Sequence, residues 1–212
     1  MKNQNKYLYN KRLKILKLAK IIVSEQGFKP DILKVISNEY KLDKNQTNVL
    51  FPEGNNDLIK FALDQLNIDL ENYCKKLDLI RLPIHKRIRK ILLTKILLMK
   101  KDKIFYKKIF FNLLIPKKQL PLTSQLYISV DQMWFIAGDT SVDFNFYSKR
   151  IILAGIYLRV ILFFFNNNDQ STLEKNLDAD LKKVSKIPEL KSKVNIVKDY
   201  FPNIIKFVKN FS

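Results

Sequence analysis

Residues 144–165 read FNFYSKRIILAGIYLRVILFFF and are apolar on almost every side of a helix. A helix that is apolar all round must be covered by its neighbours, so this stretch predicts a central, buried helix. The same surface could line a cavity for a long apolar ligand, and the sequence leaves plain core and ligand cavity both open. The polar run at residues 166–168 predicts the loop that ends the helix.

This helix is not expected to cross a membrane. Its longest apolar run, from Ile151 to Phe165, is interrupted by Arg159. A transmembrane helix needs about 20 predominantly apolar residues. The run is shorter than that and carries a central charge, so we expect a globular protein that at most lies on a membrane surface.

The chain upstream also has helical periodicity. Apolar residues spaced for one helix face, with breakers between them, predict helices near residues 13–23, 32–36, 44–50 and 58–77. Gly27 is expected to end the first helix, and Asp31 and Asp57 to cap the second and fourth. Nearly every periodic segment is helical and no internal repeat is visible, so the predicted fold class is all-α.

The order of these elements resembles the N-terminal domain of TetR-type regulators, with Gln26-Gly27-Phe28 and residues 50–54 as the closest points. It predicts a helix-turn-helix unit in residues 1–77. A recognition helix needs Arg, Lys, Asn or Gln toward the DNA. Residues 43–50 contain one lysine and no arginine, although their amides could contact adenine. A DNA-binding regulator is therefore the alternative function, and nucleic acid is not the expected partner.

The charge of the chain is strongly basic. The formal net charge is +19, from 39 Lys and Arg against 20 Asp and Glu. Such an excess favours a polyanionic partner, although bias toward Lys, Asn and Ile codons explains it equally well. Residues 81–108 concentrate the charge on one or two amphipathic helices. Their lysines fit either a solvated face above the core or attraction to anionic lipid headgroups.

Few residues could support catalysis. Four scattered glycines build no phosphate loop, and the only cysteine and histidine, Cys74 and His85, allow neither an intrachain disulfide nor a zinc or di-iron site. We expect Cys74 half-buried and His85 on the surface without a role. Asp139 and Asp143 could form an acid–base pair, but capping a helix that begins near Val142 is the commoner role. We predict no catalytic residue, no metal ligand and no enzyme. A lipid-modifying enzyme is the third class considered, and no nucleophile or base supports it.

Residues 131–157, DQMWFIAGDTSVDFNFYSKRIILAGIY, resemble the signature of the Coq-nine family of ubiquinone-biosynthesis proteins. The run contains Met-Trp, Ala-Gly-Asp and Asp-Phe-Asn in the order typical of that family. The resemblance covers most of the chain and weakens after Asn166. Its further points are at residues 50–52, 87–89, 114–116 and 120–121.

The resemblance implies a TetR-like fold without DNA binding: a small N-terminal domain, residues 1–77, and a larger helical domain, residues 78–212. It implies a bound isoprenoid or phospholipid in a cavity of the larger domain and no catalytic cofactor. The helical phase of the apolar residues selects candidate cavity positions, which are Leu126, Trp134, Ile152, Ile156 and Phe163.

The resemblance also implies a partner, the di-iron hydroxylase that acts on demethoxyubiquinone, to which the protein would present polyprenyl quinone intermediates. Carried over by motif position, the partner-binding patch falls on Met133, Asp143, Phe146 and Tyr147. Phe146 stands where relatives have a tryptophan, and Phe135-Ile136 replace a more polar pair.

The C-terminal segment, residues 189–211, carries one apolar stripe with lysines beside it. The resemblance implies a membrane-bound amphipathic helix with Phe201, Ile204, Ile205 and Val208 in contact with an anionic membrane. A helix docked on its own domain has the same pattern, so both interpretations stay open. We expect a homodimer by analogy with TetR-like folds. With no presequence evident, we expect a bacterial cytoplasmic protein, peripheral on the inner membrane.

Overall fold

The computed structural model describes residues 2–115, 122–140 and 144–185, and these ranges form nine helices and no strand. The all-α prediction is confirmed. The helices are α1 Lys2–Gln26, α2 Ile32–Glu39, α3 Lys44–Leu50, α4 Asn55–Cys74, α5 Ile84–Lys100, α6 Lys103–Leu113, α7 Leu122–Ile136, α8 Phe144–Asn166 and α9 Gln170–Ser185. Asp143 and the C-terminal segment, with Phe201, Ile204, Ile205 and Val208, lie outside the described residues.

Local signals explain where the first helices end. Gly27 has φ +87° and its N–H donates to the carbonyl of Val23, so a left-handed glycine ends α1. Asp43 caps α3 by accepting a hydrogen bond from the N–H of Asn45 at 2.9 Å. Asp31 occupies the N-cap position of α2 as predicted, but its side chain makes no capping hydrogen bond. The predicted cap at Asp57 is wrong, because Asp57 lies inside α4, which begins two residues before it at Asn55.

One hydrophobic core runs through the described helices. α1 packs against α2, α3 and α6, and α4 packs against α5 and α7. α8 packs against α5, α6, α7 and α9. Buried residues on both sides of the predicted boundary after residue 77, such as Leu70 and Ile88, belong to the same core. The division into residues 1–77 and 78–212 and the TetR-like arrangement stay predictions.

The predicted central helix is confirmed. α8 is buried along most of its length, with Tyr157, Ile161 and Phe165 each at most 5% exposed. Its first turns are more open, where Tyr147 is 60% exposed. None of the helices described is both long and apolar enough to span a bilayer.

The basic region forms α5 and α6, as two amphipathic helices. His85 is exposed as expected, whereas Cys74 is 3% exposed and thus fully rather than half buried. The lysines of α5 do not all lie on one solvated face, because Lys95 is buried. This side chain is 1% exposed because it shares the inner face of α5 with Ile91 and Met99.

Candidate functional site

A small, partly open cavity of about 40 Å³ lies among the packed helices. Its wall is mostly apolar and aromatic, with a few polar groups. The lining residues are Leu63, Leu66, Met99, Tyr106, Ile109, Phe110, Leu113, Leu122, Gln125, Leu126, Ser129, Tyr157, Ile161 and Phe165. They come from α4, α5, α6, α7 and α8. An apolar pocket with a few converging polar groups is typical of small-molecule sites, and we call it the central cavity.

The central cavity is too small, in this conformation, for a lipid tail. A cavity of about 150 Å³ is needed for a ligand the size of benzene, while a water molecule needs roughly 10–15 Å³. The observed volume of about 40 Å³ therefore fits only one or two small groups. A long apolar ligand could enter only if the surrounding helices moved apart.

A polar cluster built around Lys95 adjoins the central cavity. The Lys95 Nζ donates a hydrogen bond to Asn67 Oδ1 at 2.6 Å and lies 5.3 Å from the centre of the Tyr157 ring. Gln132 Nε2 donates to the backbone carbonyl of Asn67 at 3.1 Å. Burial lowers the pKa of Lys95 to about 7, and no charged neighbour contributes to that shift. The core thus contains a cation whose charge is not balanced by a carboxylate.

Of the predicted lipid-binding residues, Leu126 alone lines the central cavity. Ile156 is buried in the core, and Trp134 and Ile152 are partly buried against it. Phe163 lines a separate pocket of about 130 Å³ between α8 and α9. The five positions are therefore not brought together around one cavity in this conformation, and their role in lipid binding stays a prediction.

The face of α8 that lines the cavity was missed because this helix is apolar all round. Tyr157, Ile161 and Phe165, spaced four residues apart, form that face. Periodicity cannot select one face of such a helix.

The burial of Lys95 was also missed, although the sequence contains a signal for it. Lys95 occupies a position of the apolar stripe of α5, between Ile91 and Met99.

A second cluster joins the end of α7 to the start of α8. The Arg150 side chain is 5% exposed, and its Nε donates to Asp131 Oδ1 at 2.6 Å. Its Nη1 lies 3.3 Å from Asp139 Oδ2 and donates to the carbonyl of Phe146 at 3.0 Å. Its guanidinium carbon lies 3.3 Å from the centre of the Phe146 ring. Lys149 Nζ is 2.7 Å from Asp139 Oδ1. We call this set the Arg150 cluster.

The backbone turn after α7 places Asp139 in this cluster. Gly138 has φ +82°, its N–H donates to the carbonyl of Phe135, and the N–H of Asp139 donates to that of Trp134. This pair of hydrogen bonds is a Schellman motif, which needs a left-handed residue such as glycine. Asp139 forms ion pairs with Arg150 and Lys149, and its side chain is 5% exposed. The predicted cap concerns a helix beginning near residue 142, which lies outside the described residues.

The predicted partner-binding residues separate into exposed and buried positions. Tyr147 is 60% exposed, and the Phe146 ring packs edge-on against it with 5.1 Å between ring centres. Phe135, which the motif comparison did not select, is 71% exposed. Met133 is 0% exposed, because the turn of α7 that carries it faces the core. Met133 is thus not part of the surface in this conformation, and its role in partner binding stays a prediction.

Comparison with known proteins places a family match on these helices. A profile of the COQ9 family matches residues 121–188. The chain is 53% identical over 45 residues to the ubiquinone biosynthesis protein COQ9, mitochondrial, of Rattus norvegicus, covering 21% of this chain and 14% of the rat protein. It is 48% identical over 48 residues to the Bos taurus protein of that name, covering 23% of this chain and 15% of the bovine protein. The Homo sapiens protein of that name is 47% identical over 45 residues, 21% of this chain and 14% of the human protein.

These relatives confirm the resemblance found in the sequence and correct one prediction made from it. All three are named as mitochondrial proteins of mammals. The expectation of a bacterial cytoplasmic protein is therefore wrong. The aligned stretches cover only 14% or 15% of each relative.

Proposed function

We propose, on the match of residues 121–188 to the COQ9 family, that this protein is a non-enzymatic accessory protein of ubiquinone biosynthesis that binds isoprenoid quinone intermediates. It presents them to the di-iron hydroxylase that acts on demethoxyubiquinone. The observation that carries the lipid-binding part is the central cavity, whose walls are apolar and aromatic and whose polar groups are few. α7 and α8, which contribute about half of its lining, lie in the family segment.

The energetics favour an apolar ligand in this cavity. Transfer of apolar surface out of water contributes roughly 25 cal/mol per Å², so even one isoprene unit enclosed by the core contributes substantially. Opening the cavity separates apolar side chains, but the ligand replaces those contacts with contacts of its own. The small volume of the cavity therefore determines how much free energy the opening costs. It does not change the class of ligand that the lining favours, which is apolar.

The surface beside the Arg150 cluster is the proposed contact for the hydroxylase. Tyr147 and Phe135 are exposed aromatic side chains, and aromatic residues contribute strongly to protein interfaces. The guanidinium of Arg150 packs against the face of the neighbouring Phe146 ring. A surface held rigid by buried ion pairs loses little entropy when it binds.

The basic helices suggest a membrane surface as the place of exchange. α5 and α6 expose several lysines, among them Lys86, Lys90 and Lys100. Lysines near an anionic membrane contribute about 1 kcal/mol each. We propose a mitochondrial location, as in the named relatives, with the protein on the anionic membrane surface. Assembly as a homodimer stays a prediction.

The lipid-binding proposal is tested by mass spectrometry of organic extracts. The protein is purified without detergent and compared with an unrelated basic protein from the same host. We expect polyprenyl quinones or their precursors to be enriched, because the central cavity offers an apolar lining. An extract free of such lipids, together with tight and salt-sensitive DNA binding, would replace this proposal by the DNA-binding regulator.

Tyr147→Ala is expected to weaken binding of the hydroxylase about tenfold or more, because it removes an exposed aromatic side chain from the proposed contact. The free energy of unfolding should change by less than about 0.5 kcal/mol, since Tyr147 is a surface residue. Affinity is measured by surface plasmon resonance with the purified hydroxylase. Tyr73→Ala on α4, also at an exposed tyrosine, is the matched control. Equal affinities of the two variants would remove Tyr147 from the interface.

A further inference from the structure

The structure contains a buried cation that the fold does not require. Lys95 lies on the core face of α5, and a methionine or leucine of similar length would suit that position. Its one hydrogen bond in the core is to the neutral amide oxygen of Asn67. Burying a charge without an opposite charge is costly, and proteins retain such groups mostly at functional sites.

The polar groups linked to Lys95 come from three further helices. Lys95 itself contacts Asn67 of α4 and Tyr157 of α8. From α7, Gln132 is hydrogen-bonded to the backbone of Asn67, and Ser129 to the side chain of Tyr157. Gln132 Oε1 is buried and has no hydrogen-bond partner, although the Nε2 of the same side chain is bonded to the backbone of α4. The cluster therefore combines donors with an unused acceptor. Four helices that hold polar groups at one point in an apolar core form a pre-arranged recognition site.

Ser129 and Tyr157 form one wall of the central cavity, which we call its end wall, and Lys95 lies behind this wall without lining the cavity. Tyr157 and Ser129 line the cavity, and the Lys95 ammonium lies 5.3 Å from the Tyr157 ring centre. Met99, one helical turn after Lys95, lines the cavity too. The ammonium is thus separated from the cavity by one side chain. A ligand in the cavity therefore reaches the ammonium only when the Tyr157 side chain, which is hydrogen-bonded to Ser129, rotates away.

The chemistry of this end wall indicates the class of ligand head. The cavity beside it is lined by the rings of Tyr106 and Tyr157, with Phe110 and Phe165 further along. Flat rings pack well against an aromatic head, and a single amine suits one oxygen acceptor. A phosphate would need several charged donors or a set of backbone N–H groups, and the cluster has one cation.

We propose that Lys95 is the head-group anchor of the central cavity, whose amino group donates a hydrogen bond to a ring oxygen of a bound quinone or phenol. This inference rests on the proposed function and deepens it, because it states how the ligand is oriented. The ring lies beside Tyr157 at the end wall, behind which Lys95 lies. The apolar tail runs along Ile161 and Phe165. Gln132 Oε1 accepts a hydrogen bond from the hydroxyl of the phenol form.

The test compares two ligands that share one alkyl tail. The first is a short-tailed ubiquinone, and the second is an alkylbenzene without ring oxygens. Binding to the full chain is measured by equilibrium dialysis with quantification by mass spectrometry. Lys95→Met keeps the length of the side chain and removes the amine. Lys90→Met, at an exposed position on the same helix, is the matched control.

We expect Lys95→Met to weaken binding of the ubiquinone about tenfold or more, as for loss of a hydrogen bond to a charged group, while binding of the alkylbenzene changes less than about twofold. Lys90→Met should change neither. Equal weakening for both ligands, or none for the ubiquinone, overturns the anchor. If Lys95→Met binds the ubiquinone as the unchanged protein does, the proposed function stands. If the unchanged protein binds neither ligand, the proposed function fails as well.

Gln132→Leu gives a second readout that does not depend on Lys95. Its side-chain amide donates to the backbone of Asn67, and its unpaired oxygen is the proposed acceptor for the phenol. We expect this variant to weaken the reduced, phenolic form of the ligand several-fold more than the quinone form, since only the phenol carries a hydroxyl proton to donate. Equal weakening of both forms contradicts the assigned role of Gln132.

Discussion

Lys95→Met is expected to stabilise the protein relative to the unchanged chain, and this advantage should shrink by about 3 kcal/mol between roughly pH 6.5 and pH 9.5. The pKa of Lys95 is about 7 in the folded protein, against the ordinary 10.5. Between these values the unfolded chain binds a proton that the folded chain does not. Stability of the unchanged protein therefore falls as the pH drops from 10.5 toward 7 and is constant below that. Methionine removes this dependence.

Urea unfolding at several pH values measures the effect as a difference between the two proteins. The absolute gain at low pH is reduced by the Asn67 oxygen, which loses its donor in the variant. The pH-dependent part is free of that offset, because the Asn67 oxygen does not titrate. Lys90→Met is the control and should follow the unchanged protein across the range. Parallel curves for Lys95→Met and the unchanged protein would show that the amine is not buried as a charge.

This expectation bears on the proposed anchor. If the protein is more stable with methionine than with lysine at position 95, the native lysine lowers its stability. A role in binding is the simplest reason for such a residue. Stability and ligand affinity should therefore change in opposite directions in Lys95→Met. The two measurements use the same variant and the same control.

Arg150→Met is expected to lower the free energy of unfolding by about 3–5 kcal/mol, the typical cost of breaking a buried ion pair from one side. Arg150 and Asp139 both have side chains that are 5% exposed. Without the guanidinium, the Asp139 carboxylate keeps Lys149 as a charged neighbour, and Phe146 loses the cation that packs against its ring. The start of α8 should then loosen, and hydroxylase binding should weaken with it.

Lys149→Met is the matched control for this prediction, because Lys149 contacts the same carboxylate but its side chain is 38% exposed. Exposed ion pairs contribute about 0–1 kcal/mol, so this variant should lose at most that amount. Chemical denaturation of both variants gives the comparison. Adding Asp139→Asn to Arg150→Met should recover part of the loss, since the buried carboxylate that has lost the guanidinium is then replaced by a neutral amide. If the Arg150→Met variant is as stable as the Lys149→Met variant, the ion pair of Arg150 is not buried and the prediction is wrong.

Several elements could be predicted well from the sequence because their signals are local. α3 runs from Lys44 to Leu50 as predicted, since Asp43 provides a cap and the breaker at residues 51–54 follows. Gly27 ends α1 because a left-handed turn favours glycine. The family resemblance depended on consecutive residues of one motif, and that too is a property of the chain alone.

The sequence by itself determined the helices, the burial of α8 and the resemblance to the COQ9 family, because cap residues, periodicity and motif order are all encoded within a few turns of the chain. Tertiary structure alone decided which face of α8 lines the cavity, since α8 is apolar all round and only the packing of α6 and α7 against it selects Tyr157, Ile161 and Phe165. Tertiary structure also decided that Lys95, one of many lysines in the chain, is buried, and that Asp139 forms an ion pair with Arg150. Charge interactions depend on distance and burial, and residues far apart in sequence acquire both only when the helices pack.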